Sequence, residues 1–177
     1  MSDSEKENLK TKLAIEELRH TLDRLENLNN TLETKASALF GFTAILITVI
    51  IFTLNSILSP ELDILIQYLF FSLIVIDVII IVKGLNYLLK VIKLRKYIYP
   101  FSFDPNKMFK TINMPYDEFK NDIIEDYRQS IPHHNCINRK KVDSLNNAID
   151  WLKIGIFTSF IILIILIYIK MVVEVHG

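Results

Sequence analysis

A run of 23 residues, 36–58, carries no charged side chain, and it sets the first limit on this sequence. A helix of that length reaches about 34 Å, enough to cross a hydrocarbon core of about 30 Å. Two further apolar runs follow. Residues 64–82 are interrupted only by Asp77, and residues 154–173 only by Lys170, which can snorkel to the boundary. With 51% of its 177 residues apolar, the chain is not composed as a disordered or linker-rich protein. Twenty basic residues balance twenty acidic ones, so no global field draws in a polyanion, and direct DNA binding is not expected. The single cysteine, Cys136, leaves no material for an internal disulfide.

The expected fold is an all-α integral membrane protein. Three transmembrane helices (36–58, 64–82 and 154–173) extend into a cytoplasmic helical bundle, in a chain expected to be homo-oligomeric. Basic residues set the orientation. Six lie in 1–35 and thirteen in 83–153, whereas the hairpin 59–63 has none and the C-terminal part has only Lys170. By the positive-inside rule the N-terminus and the segment 83–153 are cytoplasmic, while the hairpin and the tail 174–177 are outside.

Before the first span, Ile15, Leu18, Leu22, Leu25, Asn29, Leu32, Ala36 and Leu39 recur at alternating three- and four-residue steps. That is a heptad seam, with Asn29 at a core position where a polar residue fixes register. Asn138, Val142, Leu145, Ile149, Leu152 and Ile156 repeat the pattern ahead of the third span, and Leu85, Leu88, Leu89 and Ile92 continue the second. Between them, Tyr97, Tyr99, Phe101 and Phe103 with Pro100, Pro105 and Pro115 read as an aromatic-rich extended connection. A short helix is expected over 117–130, stopped by Pro132.

Asp77 is the sharpest candidate, because an ionisable group inside a span must be paired or line an aqueous path. At equal depth stand Thr43 and Thr158 or Ser159. Two readings fit: a buried polar layer, or a cation-attracting ring in an oligomeric pore. Ser37, Gly41, Ala44, Thr48 and Asn55 read as the continuation of the heptad spacing, with Ile51 the exception, either packing closely or lining a narrow polar path. On the cytoplasmic side Asn135, Arg139, Lys140 and Lys141 could hold a phosphate, or could serve only to keep that side in.

His133, His134 and Cys136 lack the further ligands that a structural zinc site needs, so no metal is expected. Arg128 and His133 match the Arg-x4-His pattern of HEPN-type ribonucleases, with Pro132 inside it. The chain has four glycines, no phosphate loop and no nucleophile elbow. Neither a catalytic residue nor a cofactor is expected, and the chain reads as a non-enzyme.

The stretch Asn30-Thr31-Leu32-Glu33-Thr34-Lys35-Ala36-Ser37-Ala38-Leu39 resembles the acidic-x-Lys-Ala-Ser start of the first span in the Pycsar transmembrane effectors (PycTM). The layout is also similar to the SLATT-type membrane effectors of prokaryotic immunity. The likeness covers about ten residues and the general architecture. Thr34 stands where an acidic residue often precedes the lysine, with Glu33 one position earlier. The resemblance implies an inner-membrane antiviral effector that answers a cytoplasmic signal, a cyclic nucleotide, by forming or opening a pore. Two alternatives stay open: a CRISPR-associated membrane accessory pore protein with a degenerate HEPN-like motif, and a non-channel scaffold for a soluble partner.

The orientation has a direct check. In a Cys136→Ser background, single cysteines at Ser4, Ser59 and Ser144 should react with an impermeant maleimide on intact cells only at position 59. External labelling at position 144 would reverse the orientation.

Overall fold

The structure, a computed structural model, describes residues 3–57, 63–94 and 114–176. Its elements among the described residues are three helices: α1 (Asp3–Ile57), α2 (Ile64–Lys93) and α3 (Tyr116–His176). Each contains a stretch long and apolar enough to cross a membrane, by length and composition. The aromatic connection around Tyr97 to Phe103, and nearly all of the expected hairpin, lie outside the described residues.

Local chemistry explains where α2 and α3 begin. Asp63 caps α2: its carboxylate accepts from the Leu65 amide at 3.1 Å, and its carbonyl accepts from the Gln67 amide at 3.0 Å. α3 starts behind Pro115, whose carbonyl accepts from the Phe119 amide at 3.0 Å, and Asp117 and Glu118 face the positive end of the helix dipole. The expectation of a short helix ended by Pro132 is corrected here. α3 runs unbroken through Pro132 to His176. A proline forfeits one backbone bond and clashes one turn back, about 3 kcal/mol, but flanking turns paired along a seam can offset that cost. Pro132 is exposed, so its ring displaces no packing partner.

The chain divides into two compact units, and α1 and α3 contribute to both. The first comprises Met1–Leu32 and Leu94–Lys141. Here α1 buries Leu22, Asn29 and Leu32, and α3 buries Ser130, His134, Ile137, Asn138 and Lys141.

The second unit comprises Glu33–Lys93 and Val142–Gly177. In it α1 buries Ala36, Thr43, Leu46, Ile50, Thr53 and Ile57; α2 buries Phe70, Ile74, Asp77, Ile81, Gly84, Leu88 and Val91; α3 buries Leu145, Ala148, Leu152, Gly155, Ser159, Ile162 and Leu166. Apart from the seven-residue step from Ala36 to Thr43, the positions on all three helices alternate three and four residues apart, the spacing of knobs-into-holes packing. Leu46, Ile50, Ile57, Phe70, Ile74, Ile81, Ile162 and Leu166 form its apolar core. The outward faces are also apolar: Phe52, Leu65, Phe157 and Tyr168 are each about two-thirds exposed or more. Only 22–28% of each apolar window is buried inside the chain, an exposed hydrophobic surface of the kind that meets a membrane or another protein.

Two glycines set the α2–α3 distance. A methyl on Gly155 would sit 2.9 Å from Ile81 Cγ1, and one on Gly84 would sit 3.1 Å from the Leu152 side chain. Gly155→Leu should therefore push the helices apart and cost about 1–3 kcal/mol, read as a lowered unfolding midpoint in detergent. Gly41 is the control, since a methyl there would have nothing within 4 Å. Gly41→Ala should not lower the midpoint of the monomer in detergent, and an equal loss at both positions would remove the close-approach account.

Candidate functional site

The polar side chains of the spans separate into two sets. Asp77 is 1% exposed, and its two carboxyl oxygens accept one hydrogen bond each, Oδ1 from the Thr158 hydroxyl and Oδ2 from the Ser159 hydroxyl. Asp77 lies on the α2 seam beside Ile74 and Ile81, and adjacent residues of α3 meet it, which gives each oxygen its own donor. This arrangement is a closed polar layer between two helices of one chain. Thr43 is buried as well, but its hydroxyl donates to the Leu39 carbonyl at 2.7 Å, one turn back on its own helix. It is therefore not a partner of Asp77.

Thr48 and Asn55 form the other set, together with Ser37, Gly41 and Ala44. All five are exposed. They do not continue the seam of α1, which instead runs through Thr43, Leu46, Ile50, Thr53 and Ile57. The two series are offset by one or two residues, and at 100° per residue this places them on nearly opposite sides of α1. Thr48 satisfies its hydroxyl on the Ala44 carbonyl at 3.0 Å. Asn55 carries an amide on a face that, in a bilayer, meets lipid or another protein.

The basic cluster of α3 separates in the same way. Asn135, Arg139 and Lys140 are exposed, whereas Lys141 is fully buried and donates to Asn29 Oδ1 at 2.6 Å. One helical turn earlier, Asn138 Nδ2 donates to the Leu25 carbonyl at 2.8 Å. Lys141 thus anchors the polar seam of the first unit and stands apart from the other three. That seam holds Asn29, Ser130, His134, Asn138 and Lys141, with Ser130 Oγ and Asn138 Oδ1 buried and lacking a hydrogen-bond partner among the described residues. Sequence reasoning misses Ser130 and His134 as seam positions, because a helix stopped at Pro132 leaves both outside the heptad that is read from Asn138 onward.

Arg128 is exposed and lies 3.8 Å from Glu125, while His133 is half-buried. Five residues apart on one helix, they diverge by about 140°. His134 is buried and Cys136 exposed. Among the described residues no group of three or more His, Cys, Asp or Glu side chains could hold a metal ion. No known protein family, curated protein or solved structure matches this chain.

The geometry around Asp77 predicts which substitution hurts. Thr158 Oγ1 also lies 3.0 Å from the carbonyls of Ile154 and Gly155, so it has a fallback acceptor if Asp77 is removed. Asp77→Leu should then strand only the buried Ser159 hydroxyl and cost about 1 kcal/mol. Thr158→Val with Ser159→Ala leaves a buried carboxyl without donors and should cost about 3 kcal/mol. Unfolding in detergent compares them, and equal losses would contradict this hydrogen-bonding scheme.

Proposed function

We propose that this chain is a membrane effector of prokaryotic antiviral defence that assembles as a homo-oligomer and opens a pore on a cytoplasmic signal. Its place is the inner membrane, N-terminus in the cytoplasm and C-terminus outside. The observation that carries the pore is the two-faced α1, which packs one heptad seam inside its own chain and leaves Ser37, Gly41, Ala44, Thr48 and Asn55 exposed on the other side. Lipid offers no hydrogen bond to Asn55, whereas a second copy or a water-filled lumen does. Small residues on the same stripe permit close approach of neighbouring helices. In this reading Thr48 and Asn55 line the polar path, and Asp77, closed off by Thr158 and Ser159, holds each subunit together. The defence role, and a cyclic nucleotide as the signal, rest on the resemblance around Lys35, Ala36 and Ser37.

Conductance in planar bilayers tests the pore. Asn55→Leu should reduce single-channel conductance about tenfold and Thr48→Val by less, while Asp77→Asn leaves ion selectivity unchanged. Undiminished conductance in Asn55→Leu, with assembly intact by crosslinking, would sink the lumen assignment. A selectivity change in Asp77→Asn would move the pore to α2.

A further inference from the structure

The last three turns of α2 carry Lys83, Lys90 and Lys93 and no acidic residue, since Asp77 is the one acid on the whole helix. Lys83 and Lys90 are exposed, yet neither ammonium points freely into solvent. Lys83 Nζ lies over the Trp151 ring, 4.7 Å from its centroid, and Lys90 Nζ lies over the Tyr87 ring at 4.6 Å. Neither lysine is in an ion pair among the described residues, whereas the nearby Lys153 has Asp150 at 3.9 Å. Ring faces hold a cation in place by their quadrupole, but they supply no net negative charge. The strip therefore keeps its full positive charge while being oriented.

Its depth follows from helix geometry. Lys83 is the first charged residue after the apolar stretch that ends at Val82. Positions 83, 87 and 90 share one face, and helical side chains lean toward the helix N-terminus. On α2 that direction is toward the apolar stretch, so the Lys83 ammonium is drawn back to the boundary, where Trp and Tyr rings also reside, and that of Lys90 is drawn toward it by about one turn.

We infer that Lys83, Tyr87, Lys90 and Trp151 form a headgroup site for an anionic phospholipid. The phosphodiester supplies the negative charge that the rings do not. A zwitterionic lipid brings its own ammonium beside the phosphate and is disfavoured by the same two lysines, so the site discriminates by net charge. The inference depends on the helices crossing a bilayer and not on the pore.

Trp151 is the single tryptophan of the chain and sits inside the site, which makes it the probe. The full chain is reconstituted in mixed phosphatidylglycerol–phosphatidylcholine vesicles, with bromine on the chains of one lipid or the other, and quenching gives their relative association. Phosphatidylglycerol should be favoured roughly five- to twentyfold at low salt. In Lys83→Gln/Lys90→Gln the preference should fall to near one, with the Trp151 emission maximum in place. Lys153→Gln, whose charge is matched by Asp150, should keep it. Equal quenching by both lipids in the unaltered chain overturns the site. So does a preference that survives the double substitution, or an absence of quenching by either lipid.

Discussion

A carboxyl group buried in an apolar bundle needs donors, and the requirement of Asp77 for two of them fixes how α2 pairs with α3. Thr158 and Ser159 are consecutive on α3, so they can reach both oxygens only when Asp77 stands opposite that pair. Shifting α3 by one residue would rotate one donor away by about 100°. The same alignment brings Gly155 against Ile81 and Gly84 against Leu152, where neither position has room for a methyl without a shift. In a bilayer, apolar association alone could not select this register, because lipid tails are as apolar as the seam. Hydrogen bonds and steric fit select it.

The first unit follows another logic. Five of its buried side chains are polar, Lys141 among them, and its described inter-helix bonds include Lys141 to Asn29 and Asn138 to the Leu25 carbonyl. Burying an ammonium carries a desolvation cost that its partners must offset, so it stabilises less than an apolar side chain of similar size. What such a seam contributes is register, as a core asparagine does in coiled coils.

Much of this is legible in the sequence. Charge-free runs and 3-4 spacing indicate three long apolar helices, the buried Asn29, and Asp77 level with Thr158 and Ser159. What fails has local causes. Pro132 reads as a stop because its intrinsic cost is large, but a 61-residue helix paired along much of its length tolerates the loss of one bond. Thr43 matches Asp77 in depth, yet depth does not report where a hydroxyl donates, and threonine in a helix commonly turns to the carbonyl four residues back. Adjacency groups Lys141 with Arg139 and Lys140. Helical rotation of 100° per residue separates it from both, and extending the 138–145–152 seam by its three-residue step identifies it.

The polar stripe of α1 shows the same ambiguity in its sharpest form. On a helix of 3.6 residues per turn, a series offset by one or two positions from a heptad seam is itself heptad-spaced, so sequence periodicity cannot tell one seam from two. Exposure can. In α1 the inner series is filled by Leu46, Ile50 and Ile57, with Thr43 and Thr53 satisfied on their own backbone. Nothing in that series needs a second chain. The outer series has Asn55, whose amide no backbone bond within the helix satisfies among the described residues, and small residues above it. A lipid-facing stripe has no physical reason to be small and polar, since bulky aliphatic residues there are cheaper, as Phe52 beside it and Ile51, the one bulky member of the series, illustrate. The asymmetry between the two faces of α1 is thus the feature of a single chain that points beyond the single chain.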